Sequence, residues 1–484
     1  MRVASILGCV ALVAGAAIPG ESTINERASE TIEKRASGTA TVNLAVTQGT
    51  PQNLGDGFIY GFPDNADGSA NTAIPNELRA GSGFNYCRAG GAQLPSPSLG
   101  YANGQLQGRL MSFLSNYRTC RASGARFQLL VHDLWGADSV QSSTFKYPGD
   151  GGSWTALDDF LTQVIAFIKN NNMQAGLELD LWNEPDSTLF WNADYQQYLN
   201  TWTRMYNRFK SELSSLPVTG PSISVPPTTG NTFWTRWLDH VKSTNTVPDL
   251  YSYHLLSLDF TVSGSQDTFK SMLSSRSIPY KKVIVNEYGA TAGGDQTNAG
   301  SVWYLANFER QNIGGLRAHW GMGENNLHNG MAGLVNFSGS NYFRAAQWWV
   351  YNYYSKSMTG NRVATTSSGD GVFEVYATRG SSKDSVKLLT GLRPTFGVRT
   401  YDVTVKGLSA VGISGGTVKI RTKRFNHVEW NLEGPAPTDL GVVEHTVSND
   451  QAIVRIEAFL ALEEQTGGFY SSGSSVSTRS SLFQ

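Results

Sequence analysis

The chain has 484 residues, of which 40% are hydrophobic, 11% aromatic and 16% charged, and its 38 basic and 39 acidic side chains leave a net charge of −1. This composition excludes a disordered chain, a collagen and a polybasic nucleic-acid binder. At roughly 100 to 250 residues per domain, the length allows two or three domains with ample apolar surface for a core.

Reading from the N-terminus, Met1-Arg2 and the apolar run 3–17, which ends in small residues at 14–17, have the pattern of a secretory signal peptide. The run is too short to span a bilayer, so no membrane partner is expected. Residues 18–35 are polar and close on Glu33-Lys34-Arg35, a dibasic end that resembles the pro-segment processing site of fungal secreted enzymes. A secreted, extracellular chain starting at Ala36 is therefore expected. Residues 1–35 carry four basic and four acidic side chains, so their removal leaves the net charge unchanged. Cys9 lies in the leader, and Cys87 and Cys120 remain as a pair in a chain bound for an oxidising compartment, where a disulfide is expected. Asn336-Phe337-Ser338 is a glycosylation sequon.

Eight β-rich runs follow, at 57–62, 84–88, 125–133, 176–184, 222–226, 250–255, 282–288 and 315–320. Amphipathic helical segments begin near Gln105, Ser153, Asp194, Asn231, Ser265, Ala299 and Tyr342, and a weaker one covers 74–79. In one of them Phe160, Val164, Phe167 and Ile168 recur at helical spacing and are expected to face the strands. Eight β/α units over 55–358 specify an α/β fold, a closed (β/α)₈ TIM barrel, better than an open doubly wound sheet, for which no G-x-G-x-x-G follows the first strand. Beyond Thr359 the period becomes two, at 372–376, 385–389, 401–405 and 452–456, which predicts a β-sandwich over 359–464. An early strand at 40–46, within the segment 36–54, is expected to join it. Residues 465–484 are rich in Ser and Gly and are expected to be disordered.

In such a barrel the active site lies at the carboxyl ends of the strands. The fourth run reads Leu177-Glu178-Leu179-Asp180-Leu181-Trp182-Asn183-Glu184-Pro185, so alternation puts Glu178, Asp180, Trp182 and Glu184 on one face with Glu184 at the end. The seventh reads Val283-Ile284-Val285-Asn286-Glu287-Tyr288-Gly289, with Glu287 on the face of Val283 and Val285. The fourth and seventh strands lie on opposite sides of the barrel, so the two glutamates can approach across its mouth. Paired carboxylates about 5 to 5.5 Å apart are what glycosidic cleavage with retention needs, one as proton donor and the other as ionised nucleophile. The bland alternative is that each Glu caps a helix or pairs with an arginine.

The Trp182-Asn183-Glu184-Pro185 and Asn286-Glu287-Tyr288-Gly289 motifs resemble those of clan A retaining glycoside hydrolases, and the layout over about 40–463 resembles glycoside hydrolase family 39, which includes β-xylosidases and α-L-iduronidases. The resemblance implies Glu184 as acid/base, Glu287 as nucleophile and Asn183 as the residue holding the sugar 2-hydroxyl. His254 stands where the family commonly has a His followed two residues on by a Tyr; here that second position is Leu256. Arg88, His132, Asp133 and Trp135 end the second and third runs as candidates for binding hydroxyls, and Trp320 ends the eighth as a candidate sugar platform. The helical Trp348 and Trp349 read as core.

Gly412-Ile413-Ser414-Gly415-Gly416 fits the serine-hydrolase pattern G-x-S-x-G, but no helical period follows it, and it reads as a turn. The histidines have no metal-ligand spacing, so no metal and no cofactor are expected. The expected function is that of a secreted, exo-acting, β-xylosidase-like retaining glycosidase acting on plant-type polysaccharide or its side chains. The alternatives are an endo-glycanase of the same clan and an inactive carbohydrate-binding protein. The sequence leaves the oligomeric state open.

Overall fold

The structure is a computed structural model that describes residues 8–14, 36–91, 100–137, 141–289, 295–318, 330–338, 341–383, 385–393, 397–428, 432–460 and 476–479. The chain divides into two compact units, Leu54–Thr291 with Gln311–Phe343, and Met1–Asn53 with Ala292–Arg310 and Arg344–Gln484. Strands β1 (Gly8–Ala14) and β2 (Gly38–Thr47) belong to the latter.

The other unit is a closed barrel of β3 (Gly57–Ile59), β4 (Tyr86–Ala89), β5 (Arg126–Leu130), β6 (Leu177–Asp180), β7 (Val218–Ile223), β8 (Leu250–Leu255), β9 (Val283–Tyr288) and β10 (Gly314–Arg317). Neighbours are parallel all the way round, and Leu316 opposite Gly57 closes the ring. Parallel strands need crossovers, supplied by α1 (Asn76–Gly81), α2 (Leu106–Ala122), the short α3 (Val131–Trp135), α4 (Thr155–Asn170), α5 (Tyr195–Glu212), α6 (Thr232–Ser243) and α7 (Val262–Ser274). Asp194 and Asn231 cap α5 and α6, each side chain accepting two backbone N–H bonds. In α4 the buried stripe is Leu157, Phe160, Leu161, Val164, Ile165 and Ile168, while the expected Phe167 is only half-buried. β8 lies at its expected place, whereas β7 begins four residues earlier than expected and runs through Gly220-Pro221.

Cys87 on β4 and Cys120 in the last turn of α2 are both buried free thiols, which corrects the expected disulfide. The Cys120 Sγ is turned onto the Arg126 carbonyl at 2.9 Å, and burial pushes both thiols well above the usual range.

The second unit contains α8 (Asn298–Gln311, as far as Arg310), α9 (Ala346–Asn352) and the strands β13 (Asn361–Thr366), β14 (Phe373–Arg379), β15 (Val386–Leu392), β16 (Gly397–Lys406), β17 (Gly416–Asn426), β18 (Thr438–Val447), β19 (Gln451–Leu460) and β20 (Val476–Arg479). A separate two-stranded ribbon joins β11 (Val335–Ser338) to β12 (Asn341–Arg344), with Asn336 half-buried in it. The sandwich strands run in the order β18-β17-β1-β15-β14-β13-β2-β16-β19-β20. β2 pairs with β13 and β16. The apolar run read as a leader supplies β1, parallel to β15 and β17, and within the tail expected to be disordered Val476–Arg479 pairs with β19. The rest of 461–484 lies outside the described residues. Leu44, Leu388, Val405, Leu408, Ile420 and Ala452 line the sandwich interior. Leu408–Val411 is a 3₁₀ turn closed by Gly412 at φ +85°, followed by β17 and no helix, as a turn requires.

Candidate active site

The barrel interior carries a polar network beside an apolar cluster of Ile59, Ile284 and Leu316. At one level the Tyr86 hydroxyl and Arg126 hold Glu178, and Gln128 donates to Tyr86. One step along β6, Asp180 accepts from Arg88 Nε at 2.8 Å, Ser222 Oγ at 2.8 Å and Asn286 Nδ2 at 3.0 Å, and it is wholly buried. Burial pushes its carboxyl up, and Arg88 and Ser222 pull against that.

Beyond Asp180 β6 ends, so the alternation expected to carry on to Trp182 does not. Trp182 instead packs on Trp191 at 5.0 Å between ring centroids and donates to the Phe190 carbonyl at 3.2 Å. Asn183 and Glu184 both turn into the mouth. Glu184 achieves this with φ +40°, its N–H held by the Ser222 carbonyl at 2.9 Å. A left-handed backbone at a residue other than Gly costs about 1 to 3 kcal/mol and is commonly kept where geometry matters for function.

Glu287 reaches the mouth by a second irregularity. Ile284 and Asn286 face the barrel interior, Ile284 in a cluster with Tyr86 and Leu316, Asn286 donating to Asp180 and Ser222. Strict alternation would turn Glu287 out, but Tyr253 pairs with Val285 and His254 with Glu287, so Asn286 is a bulge residue. The bulge turns Glu287 back in, which corrects the expected sharing of a face with Val283 and Val285. Ser222 is the equivalent extra residue in β7, lying between Pro221 opposite Ser252 and Ile223 opposite Tyr253.

These devices bring five expected residues together. Arg88, wholly buried, donates to Glu287 Oε1 at 2.7 Å and to Asn183 Oδ1 at 2.8 Å in addition to Asp180. His254, also buried, places Nδ1 2.8 Å from Glu184 Oε1 and Nε2 3.6 Å from Glu287 Oε1. An oxygen of each carboxylate and a nitrogen of His254 lie within 4.8 Å of one another. Burial pushes the Glu287 carboxyl up, with His254 and Arg88 pulling it down and Glu184 adding to the rise; the net direction is upward. Burial would push His254 down, but Glu287 and Glu184 outweigh it and hold it above its ordinary value. The Glu184 side chain is 13% exposed against 4% for Glu287. A cation would find this donor set engaged, with the Arg88 charge on Glu287 and the imidazole on Glu184.

The remaining candidates are placed differently. Trp135 is buried in α3 against Tyr101 and Phe160, its Nε1 on the Lys146 carbonyl at 3.0 Å, so its ring faces the core. His132 packs on Trp182 and Phe190; burial, then the charges of Arg88 and Arg109, push its imidazole well down. Asp133 accepts from the Gly90 N–H at 3.0 Å, where a side chain on Gly90 would collide with it at 2.1 Å. Trp320 lies outside the described residues. Leu256 is half-buried and packs against Ile59, Tyr60, Tyr86, Ile284, Leu316 and Ala318. Asp180, Ser222, Asn286 and Tyr60 belong to the site without having been singled out as site residues. Tyr60 follows β3 directly, and the rule that polar residues at strand ends form the mouth would have found it.

No protein-family model and no curated protein matches the sequence. Solved structures do share the fold. A protein designated N2152 from Neocallimastix frontalis matches with a TM-score of 0.66 at 18% identity, over 92% of this chain and 100% of its own. A family 51 α-L-arabinofuranosidase, AbfB, from Bifidobacterium longum matches at 0.53 and 12% identity, over 87% and 99%. The family 39 glycoside hydrolase of Xanthomonas axonopodis pv. citri matches at 0.51 and 13%, over 88% and 99%. The TIM barrel with a β-sandwich is thus an architecture this chain has in common with clan A glycoside hydrolases.

Proposed function

We propose that the protein is a retaining glycoside hydrolase. The observation that carries the reading is the approach of Glu184 and Glu287 within 4.8 Å at one end of the barrel. That distance suits direct attack by one carboxylate, whereas inversion needs about 6.5 to 9.5 Å to admit a water between them. Glu287, buried and held by Arg88, attacks the anomeric carbon while Glu184 passes its proton to the glycosidic oxygen, and the bond to the leaving sugar breaks. Water then attacks the same carbon, Glu184 takes the water's proton, and the bond to Glu287 breaks. The greater exposure of Glu184 suits the group that must meet both leaving group and water.

The substrate is a neutral glycan, and exo-action on plant-type polysaccharide or its side chains, in the manner of a β-xylosidase, is the specificity we assign. The short apolar run and the dibasic Lys34-Arg35 support secretion with a mature start at Ala36. Sequencing the N-terminus of exported protein tests that start. For the reaction, Glu287→Ala is assayed on a panel of aryl glycosides, and the first-formed anomer is read by proton NMR. Undiminished hydrolysis in the variant, or an inverted product from the parent, would sink the reading. A glycan-panel digest read by mass tests exo-action, since a ladder of internal fragments contradicts it.

A further inference from the structure

Glu287 is bonded on one oxygen only. Oε1 takes the Arg88 guanidinium, while Oε2 is buried without a hydrogen-bond partner among the described residues. A buried carboxylate oxygen without a donor is costly, and a nucleophile must stay ionised until it attacks. The elements around Glu287 supply Arg88 from β4, His254 from β8, Glu184 beyond β6 and Tyr60 beyond β3. Arg88 is committed to Oε1, His254 holds Glu184 through Nδ1 and turns Nε2 toward Oε1 at 3.6 Å, and Glu184 brings more negative charge.

Tyr60 is different. It is 5% exposed, its N–H donates to the Arg88 carbonyl at 3.1 Å, and it sits at φ +83°, a conformation that a bulky residue rarely adopts. That anchoring fixes it to the strand whose own side chain holds Glu287. The charges of Glu287 and Glu184 both act on its phenol, after burial the largest influences upon it, and they keep it protonated and able to donate. Leu256, packed on the same cluster, offers no donor.

We propose that Tyr60 is a positioning residue for Glu287, its hydroxyl donating to Oε2 as a bound sugar excludes water from the mouth. Catalytic hydrogen bonds often tighten only in the complex. The donor holds the carboxylate ionised before attack and stabilises it again as it leaves the sugar.

This rests on Glu287 being the nucleophile, and the test separates the two claims. Titration of the Glu287 carboxyl by carbon-13 NMR, in the full chain and in Tyr60→Phe, needs no turnover. Loss of a donor to the charged form is expected to raise its apparent pKa by about one unit. The acidic limb of the kcat/KM profile should move up by the same amount, with kcat falling more than KM changes and Tm holding within a few degrees. An unshifted Glu287 titration overturns the role of Tyr60, whatever the activity. A shifted titration in a protein that cleaves no glycan upholds the contact and refutes the glycosidase reading instead.

Discussion

His254 meets Glu184 at 2.8 Å through Nδ1, and across the β9 bulge its other nitrogen faces Glu287 at 3.6 Å. A single buried imidazole therefore lies between the two carboxylates. Burial opposes its proton, but Glu287 and Glu184 hold it, so the folded protein binds that proton more tightly than the unfolded chain. The stabilisation is complete below about pH 6.5 and is lost as pH rises through the higher folded value. Urea unfolding from about pH 5.5 to 9 should show stability falling by up to about 1.4 kcal/mol per pH unit, and His254→Gln should flatten that fall. Equal slopes in both proteins would assign the linkage to another group.

Arg88 satisfies Asp180, Glu287 and Asn183 at once from a fully buried position. Arg88→Met takes a charged donor from three buried acceptors, Asp180 keeping only Ser222 and Asn286, and should cost about 3 to 5 kcal/mol in urea unfolding. Arg88→Lys keeps the charge without the planar fork, so it should recover much of the stability and little of kcat. A loss under about 1 kcal/mol in Arg88→Met would contradict this account of the barrel interior.

If Glu184 is the acid/base, Glu184→Ala should lose about 10²- to 10⁴-fold in kcat/KM on substrates with poor leaving groups and far less on activated aryl glycosides. Azide should restore turnover of an activated β-glycoside and yield the β-glycosyl azide. An α-azide, or no rescue at all, counts against the assignment.

Trp135 separates core from sugar platform. Its ring lies on Tyr101 and Phe160 with 2% of the residue exposed, so Trp135→Ala should destabilise by about 3 to 5 kcal/mol while KM stays as it was. A raised KM with unchanged Tm would return it to the substrate site.

The barrel was legible because its strands keep their period until they reach the mouth. β8 is the clearest case: Tyr251 and Tyr253 pack toward Trp237, Trp234 and Phe269, Ser252 and His254 face inward, and nothing interrupts them. β7 was placed too late because Gly220-Pro221 reads as a break, although the strand runs through it. Glu184 and Glu287 could be named from the strand ends, but not how they arrive. A bulge is a property of two neighbouring strands and a left-handed turn one of tertiary packing, and neither is written in one strand's own alternation. The cysteines fail for a related reason. Two cysteines in a chain expected to be secreted invite a bond, but only packing decides where each sulfur points, and Cys120 points at a carbonyl.

The extra residues Ser222 and Asn286 bear on how this mouth could be redesigned. Each is an extra residue in its strand, and on β9 it lets two consecutive side chains, Asn286 and Glu287, face the interior together. Deleting Asn286 would make Glu287 follow Val285 directly, so that regular alternation still turns it inward, but the Nδ2 donor shared by Asp180 and Ser222 would be lost. A codon lost at the bulge thus keeps the nucleophile in the mouth and takes a donor from the buried network beneath it.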